Sequence, residues 1–234
     1  MDNPDAYQHH RVPHTLAYQF GGHQLVSDQV SREDIGVVWR ELEQVLVRGV
    51  VGDVVEFGCY VGTTSLFIRR LLNQHKNTKR ETPAGRKMRL QPAGNREFHV
   101  YDSFEGLPTK VAEDASAAGA EFAAGKLAVS KKEFLQQFRA ANLAPPIIHK
   151  CWFKDLTSAD VPKTIAFAFL DGDFYQSILS SLKLVWPHMQ RGGVVLIDDF
   201  QRPELPGVER AVHDFFGGRL PTFSVEHNIA LFTY

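Results

Sequence analysis

Cysteine is scarce in this chain. Cys59 and Cys151 are the two among 234 residues, and neither has a neighbour at metal-ligand spacing, which excludes a disulfide scaffold and a zinc site. A reducing, cytoplasmic setting fits that scarcity. Long apolar runs are missing too. None approaches the ~20 residues that span a bilayer, and the opening MDNPDAYQHHRVPH lacks the basic-then-apolar order of a secretory leader. Charge of one sign is not in excess: 26 Lys and Arg stand against 27 Asp and Glu. A balanced field offers nothing to nucleic acid or to an anionic membrane surface. The expected partner is a small molecule, with no nucleic acid and no membrane span. The GxGxxG fingerprint is absent from the first expected strand–helix turn, which disfavours a plain NAD-dependent oxidoreductase.

What is present is a regular alternation of strand-like and helix-like stretches, the pattern of a parallel sheet covered on both faces. Strands are expected at 52–57, 97–102, 147–150, 165–171 and 192–198. Apolar residues at three- and four-residue spacing predict helices over 62–74, 131–141 and 174–189. The closing TFSVEHNIALFTY reads as two short strands turning at His227 and Asn228, an antiparallel hairpin on a mostly parallel sheet. Residues 1–50 read as a helical extension or lid and 51–234 as the main domain. Val37, Val38, Trp39, Leu42 and Leu46 in that extension suit either a core or a homodimer face. The basic, Gly- and Pro-rich 75–96 reads as a solvated loop. The Ala- and Gly-rich 108–127 reads as an active-site lid or as a surface helix with no gating role.

Two apolar runs end in paired acids, FLDGDFYQS at Asp171 and Asp173 and GGVVLIDDF at Asp198 and Asp199. Neighbouring strands of an open α/β sheet bring their C-terminal ends to one crevice. Carboxylates gathered there repel one another unless a cation or a proton intervenes. Helix capping would explain one Asp of each pair, but not both. The first strand–helix junction, VVEFGCYVGTTS, places Glu56 at a strand end, Gly58 and Gly62 in the turn, and Thr63, Thr64 and Ser65 at the start of a helix. Glycine lets a ligand approach the backbone closely. The second strand ends in VYDSFEGLP, which puts Asp102 where an acid accepts the ribose hydroxyls of an adenosyl group. Trp152, after the third strand, suits either an adenine contact or the core. The ten histidines, including His9, His10, His14, His23 and His213, read mainly as surface or half-buried residues.

The strings EFGCYVGTTS, VYDSFEGLP, CWFKD, FLDGDFYQS and GGVVLIDDF resemble, in order and spacing, the macrocin O-methyltransferase (TylF-type) family of class I S-adenosylmethionine-dependent enzymes. The likeness runs over about 50–216. It implies a Rossmann-like, seven-stranded, mostly parallel α/β sheet with helices on both faces and an antiparallel C-terminal hairpin. It also implies O-methylation of a sugar hydroxyl in natural-product biosynthesis, with S-adenosyl-L-methionine and Mg²⁺ as cofactors. Carried across, the cofactor set is Glu56, Gly58, Tyr60, Gly62, Thr63, Ser65, Asp102, Ser103, Trp152 and Asp171. The Mg²⁺ ligands become Asp171, Asp198 and Asp199, and Asp173 becomes the general base. Cys151 stands where the family usually has Gly, and LTSADVP departs from its Asp-Thr-Leu-Pro. Hard oxygen ligands suit Mg²⁺ better than zinc. The rival readings are a catechol-type O-methyltransferase acting on an aromatic diol, and a non-catalytic adenosyl-binding protein with a structural ion.

Overall fold

The computed structural model describes residues 23–77, 96–120 and 122–234. Helix α1 (Arg32–Val47) begins at Ser31, whose hydroxyl accepts from the Asp34 amide while the Asp34 carboxylate accepts from the Ser31 amide. This reciprocal cap satisfies donors that a helix start leaves open. Ile35, Val38, Trp39, Leu42, Val45 and Leu46 then recur on one face, and all are buried. Val37 is buried with them, so the residues left open above between a core and a dimer face lie in the core of their own chain.

Next come β1 (Asp53–Phe57), α2 (Thr63–Asn77), β2 (Phe98–Asp102), α3 (Lys131–Ala140), β3 (Ile147–Lys150), β4 (Ile165–Leu170), α4 (Tyr175–Val185), β5 (Met189–Ile197), α5 (Pro206–Phe215), β6 (Phe223–Glu226) and β7 (Ile229–Thr233). The seven strands form one sheet in the order β3-β2-β1-β4-β5-β7-β6. Pairs among β1 to β5 are parallel, while β7 runs antiparallel to both β5 and β6. This is the Rossmann-like mixed sheet expected above. The hairpin turns at His227 (φ 51°) and Asn228 (φ 61°), the two left-handed residues that a tight hairpin turn needs.

Strand periodicity divides the core. Val54, Phe167, Phe169, Val194 and Leu196 face α1, α2 and α3. Val55, Ala168, Leu170, Val195 and Ile197 face α4 and α5. Strand order reverses between β1 and β4, and at such a switch point the helices on either side diverge and leave a crevice at the strand C-termini.

Three expected boundaries move. The helix expected over 174–189 stops at Val185 and gives way to a 3₁₀ turn at Trp186–His188, because Pro187 has no N–H to continue the ladder. Met189–Arg191 therefore join β5, ahead of the expected start at 192. Helix α2 continues to Asn77, into the stretch read as a loop, and the remainder of that loop at 78–95 lies outside the described residues, as do His9, His10 and His14. Over 108–127 the described residues contain one 3₁₀ turn, Ala112–Asp114, and no α-helix. No helix among the described residues is long and apolar enough to cross a membrane.

Candidate active site

The first turn is held by a close backbone approach. Gly58 has φ 87°, and a Cβ there would run into the carbonyl oxygen of Asp171. Only glycine fits both the angle and the space. The Gly58 amide donates to the Tyr101 carbonyl at 2.9 Å and the Asp171 amide donates to that of Phe57 at 2.8 Å, so the ends of β2, β1 and β4 are tied side by side. Gly62 answers a different need, since a Cβ there would stand 2.8 Å from the Phe134 ring. It lets α3 pack against the start of α2.

Asp102 braces the same turn from β2. One carboxylate oxygen accepts from the amides of Cys59 at 2.9 Å and Tyr60 at 3.3 Å, and the other accepts from Phe104 at 2.7 Å. Ser103 accepts from the Glu105 amide at 3.1 Å. Beneath the turn, Glu56 accepts a 2.5 Å hydrogen bond from the Ser65 hydroxyl, while its other oxygen is buried without a partner. Burial holds the Glu56 carboxyl up to about 8, against the lowering effect of Ser65. The Thr63 hydroxyl is also buried and unpartnered. Buried polar atoms normally find partners, so a carboxylate oxygen and a hydroxyl left over beneath a glycine turn fit an amino-acid-bearing ligand.

The paired acids face this turn. Carboxylate oxygens of Asp171, Asp173 and Asp199 lie within 4.8 Å of one another. Asp198 stands outside that trio but is near enough for its charge to act on Asp171. Asp173 (φ 59°) and Asp199 (φ 56°) both adopt the left-handed region. Asp tolerates that region better than most residues, at a cost of about 1 kcal/mol or more each. Burial, then the charge of Asp199, pushes Asp173 up to about 8. Burial and neighbouring acids also push Asp171 and Asp198 well above the usual carboxylate range. Asp199 is raised by burial but held back by Arg202, whose guanidinium donates to it at 2.6 Å. Three carboxylates with oxygen donors this close, and among the described residues no counter-charge beyond Arg202, suit a hard divalent cation.

Gly58, Tyr60, Asp102, Ser103, Trp152 and Asp171 line one cleft together with the other three acids. Trp152 is half-buried at the cleft and not in the core. Glu56, Gly62, Thr63 and Ser65 are buried and do not line it. Several lining residues were not singled out in the sequence reading, among them Gln29, Phe122 and Arg202. A cation three positions after an acid pair is a readable hint for Arg202. Phe122 falls in the 108–127 stretch for which a lid was one of the two readings, whereas Gln29 carries no such signal, because only the folded chain brings it to the cleft.

The sequence profile described as macrocin-O-methyltransferase (TylF) matches residues 86–220. The chain belongs to the macrocin-O-methyltransferase (TylF) family. Among curated relatives it is 32% identical, over 182 residues, to the 8-demethyl-8-(2,3-dimethoxy-alpha-L-rhamnosyl)-tetracenomycin-C 4'-O-methyltransferase of Streptomyces olivaceus, covering 75% of this chain and 62% of the relative. It is 30% identical over 165 residues to the demethyldecarbamoylnovobiocin O-methyltransferase of Streptomyces niveus, covering 68% of this chain and 56% of the relative. Among solved structures, the O-methyltransferase NovP superposes with a TM-score of 0.70 at 25% identity, over 87% of this chain and 80% of NovP. The chain thus spans about three fifths of the length of the curated relatives it matches. Within the TylF family match fall the trio Asp171, Asp173 and Asp199, together with Asp102 and Arg202; the Glu56–Ser65 pair lies ahead of it.

Proposed function

We propose that this TylF-family protein transfers a methyl group from S-adenosylmethionine to a hydroxyl of a sugar or glycoside, with Mg²⁺ held by the acids of the cleft. The observation that carries the reading is the convergence of Asp171, Asp173 and Asp199 beside the glycine turn. The sugar-directed names of two relatives, the rhamnosyl-tetracenomycin enzyme and a mycinamicin III 3''-O-methyltransferase of Micromonospora griseorubida, support the acceptor class. Their natural-product substrates support natural-product biosynthesis as its setting.

S-Adenosylmethionine, when bound, supplies an electrophilic methyl group on a sulfonium. Glu56 would meet its ammonium with the oxygen that now has no partner, and the Asp102 carboxylate would accept from ribose hydroxyls while keeping its backbone bonds. Tyr60, Ser103 and Trp152 would line the nucleoside side. A divalent cation, when bound, lowers the pKa of an acceptor hydroxyl and fixes its direction. Asp171 and Asp199 would hold that ion. The trio's geometry favours Asp173 as their closest companion, and the motif resemblance favours Asp198. Asp173 would take the acceptor's proton, and a nearby cation would shift it toward the ionised form that this role needs. Phe122 and Leu127 from the segment over the cleft would keep bulk water out.

The deciding experiment supplies labelled S-adenosylmethionine to a panel of rhamnosyl glycosides, free sugars and catechols, with Mg²⁺ or with chelator. Methylation of a glycoside that chelator abolishes supports the reading. Methylation of catechols alone replaces it with an aromatic-diol enzyme, and transfer unaffected by chelator removes the metal.

A further inference from the structure

We propose that Asp114 is a positioning residue. From the segment over the cleft its carboxylate locks the start of helix α4, and so sets where Asp171 and Asp173 stand relative to Asp199. The role rests on the reading of those acids as the functional centre.

Asp114 is buried, with 2% exposure, in a stretch where Val111, Ala112, Glu113 and Ala115 are all exposed. One of its carboxylate oxygens accepts from the Tyr175 amide at 2.7 Å and the other from Val111 at 3.0 Å. Tyr175 opens α4, and the residue before it, Phe174, has no side chain able to cap a helix. The open end is therefore capped by an acid 61 residues earlier in the chain. A negative group there also complements the helix dipole. Helix α5 closes on the same point, because a Cβ at Gly207 would collide with the Asp114 carboxylate and stand 2.9 Å from the Tyr175 nitrogen.

The segment reaches the second acid turn as well. The Ser116 hydroxyl donates to the Pro203 carbonyl at 2.8 Å, four residues beyond Asp199. Lys110 and Arg202 lie on the Phe122 ring at 6.0 and 5.7 Å. Lys110 also lies 5.4 Å from the ring of Phe174, the residue that follows Asp173. One strap thus bears on the turn after β4 and on the turn after β5, and Asp114 is its buried bond to the first.

A residue that merely stabilised the strap would lower global stability without singling out the acid turn. The test compares wild type with Asp114→Ala, Asp114→Asn and Gly207→Ala. Hydrogen exchange is read over peptides covering 172–176, and Mg²⁺ and S-adenosylhomocysteine are titrated separately by calorimetry. Asn keeps an oxygen for the Tyr175 amide and gives up only the Val111 bond, whereas Ala at 114 and the intruding methyl at 207 both break the bond to Tyr175. Asp114→Ala and Gly207→Ala should speed exchange over 172–176 and weaken Mg²⁺ binding by about tenfold, the loss of one helix cap. Exchange in β1 and α1 and the affinity for S-adenosylhomocysteine should stay near wild type, and Asp114→Asn should restore most of both losses. Unchanged exchange over 172–176 in Asp114→Ala, or equal loosening of β1 and α1, overturns the proposal. A wild type that binds no Mg²⁺, with 172–176 still loosened selectively by Asp114→Ala, removes the cation from the functional reading and leaves the positioning role supported.

Discussion

Glu56 is a buried acid with one oxygen satisfied by Ser65 and one facing no partner. Its carboxyl is held up to about 8, so the ligand-free protein carries it neutral near pH 7, much as a glutamine would be. Glu56→Gln should therefore melt at or above the wild-type temperature while losing about tenfold or more in S-adenosylhomocysteine affinity. A matched loss of stability and affinity would mean the charge serves the fold. Asp173→Asn should lower methyl-transfer turnover by about a hundredfold, in the range of a lost general base, with S-adenosylhomocysteine binding retained. Wild-type turnover in that variant would make Asp173 a structural residue. Glu56 and Asp173 also set a pH dependence. Their ordinary values of 4.5 and 3.8 rise to about 8 in the fold, so the folded chain keeps protons that the unfolded chain releases. Stability from these groups is present at low pH and is lost as pH rises toward about 8. His99 and His149, lowered from 6.5 chiefly by burial, act in the opposite sense, but only below that value. Between pH 6.5 and 8 the metal-free protein should thus melt progressively lower, and Mg²⁺ should raise the melting temperature more at pH 8 than at pH 6.5. A flat profile across that window contradicts the carboxylate account.

At the scale of the element, the turn after β1 is the least tolerant piece. Gly58→Ala combines a left-handed backbone with a collision against the Asp171 carbonyl, at a cost of about 3 kcal/mol from strain and overpacking together. Chemical denaturation of that variant should show the loss, and a change under about 1 kcal/mol would mean the turn has room to relax. Strands β1, β2, β4 and β5 were readable because each short apolar run ends at Gly or Asp, and the IAFAFL of β4 is buried along its whole length. The hairpin was readable from His227 and Asn228 as a turn pair. Helix ends were less so: α4 stops where Pro187 removes a donor, and periodicity alone carried it too far. The acid pairs announced themselves by position, and Arg202 three residues after Asp199 left a local hint, whereas Asp114 on Tyr175 did not. That contact is made by tertiary closure across 61 residues, a gap that no local pattern encodes. The strap over 108–127 resisted assignment for the same reason, since its order comes from side-chain ties to α4 and to the turn after β5.

For the molecule as a whole, a net charge of −1 conceals a local concentration of acid at the switch point of the sheet, faced by Arg202 and by a glycine turn with unmet polar atoms. The fold explains why these features coincide: β1 and β4 are neighbours whose C-terminal turns cannot avoid one another. The most direct test of this arrangement is a calorimetric titration of S-adenosylhomocysteine into the metal-free protein, because it needs no knowledge of the acceptor. The account predicts micromolar binding, about 8 kcal/mol, with affinity lost in Glu56→Gln. No heat and no thermal stabilisation at millimolar ligand would contradict it, and the glycine turn and its buried acid would then have to serve a different cofactor.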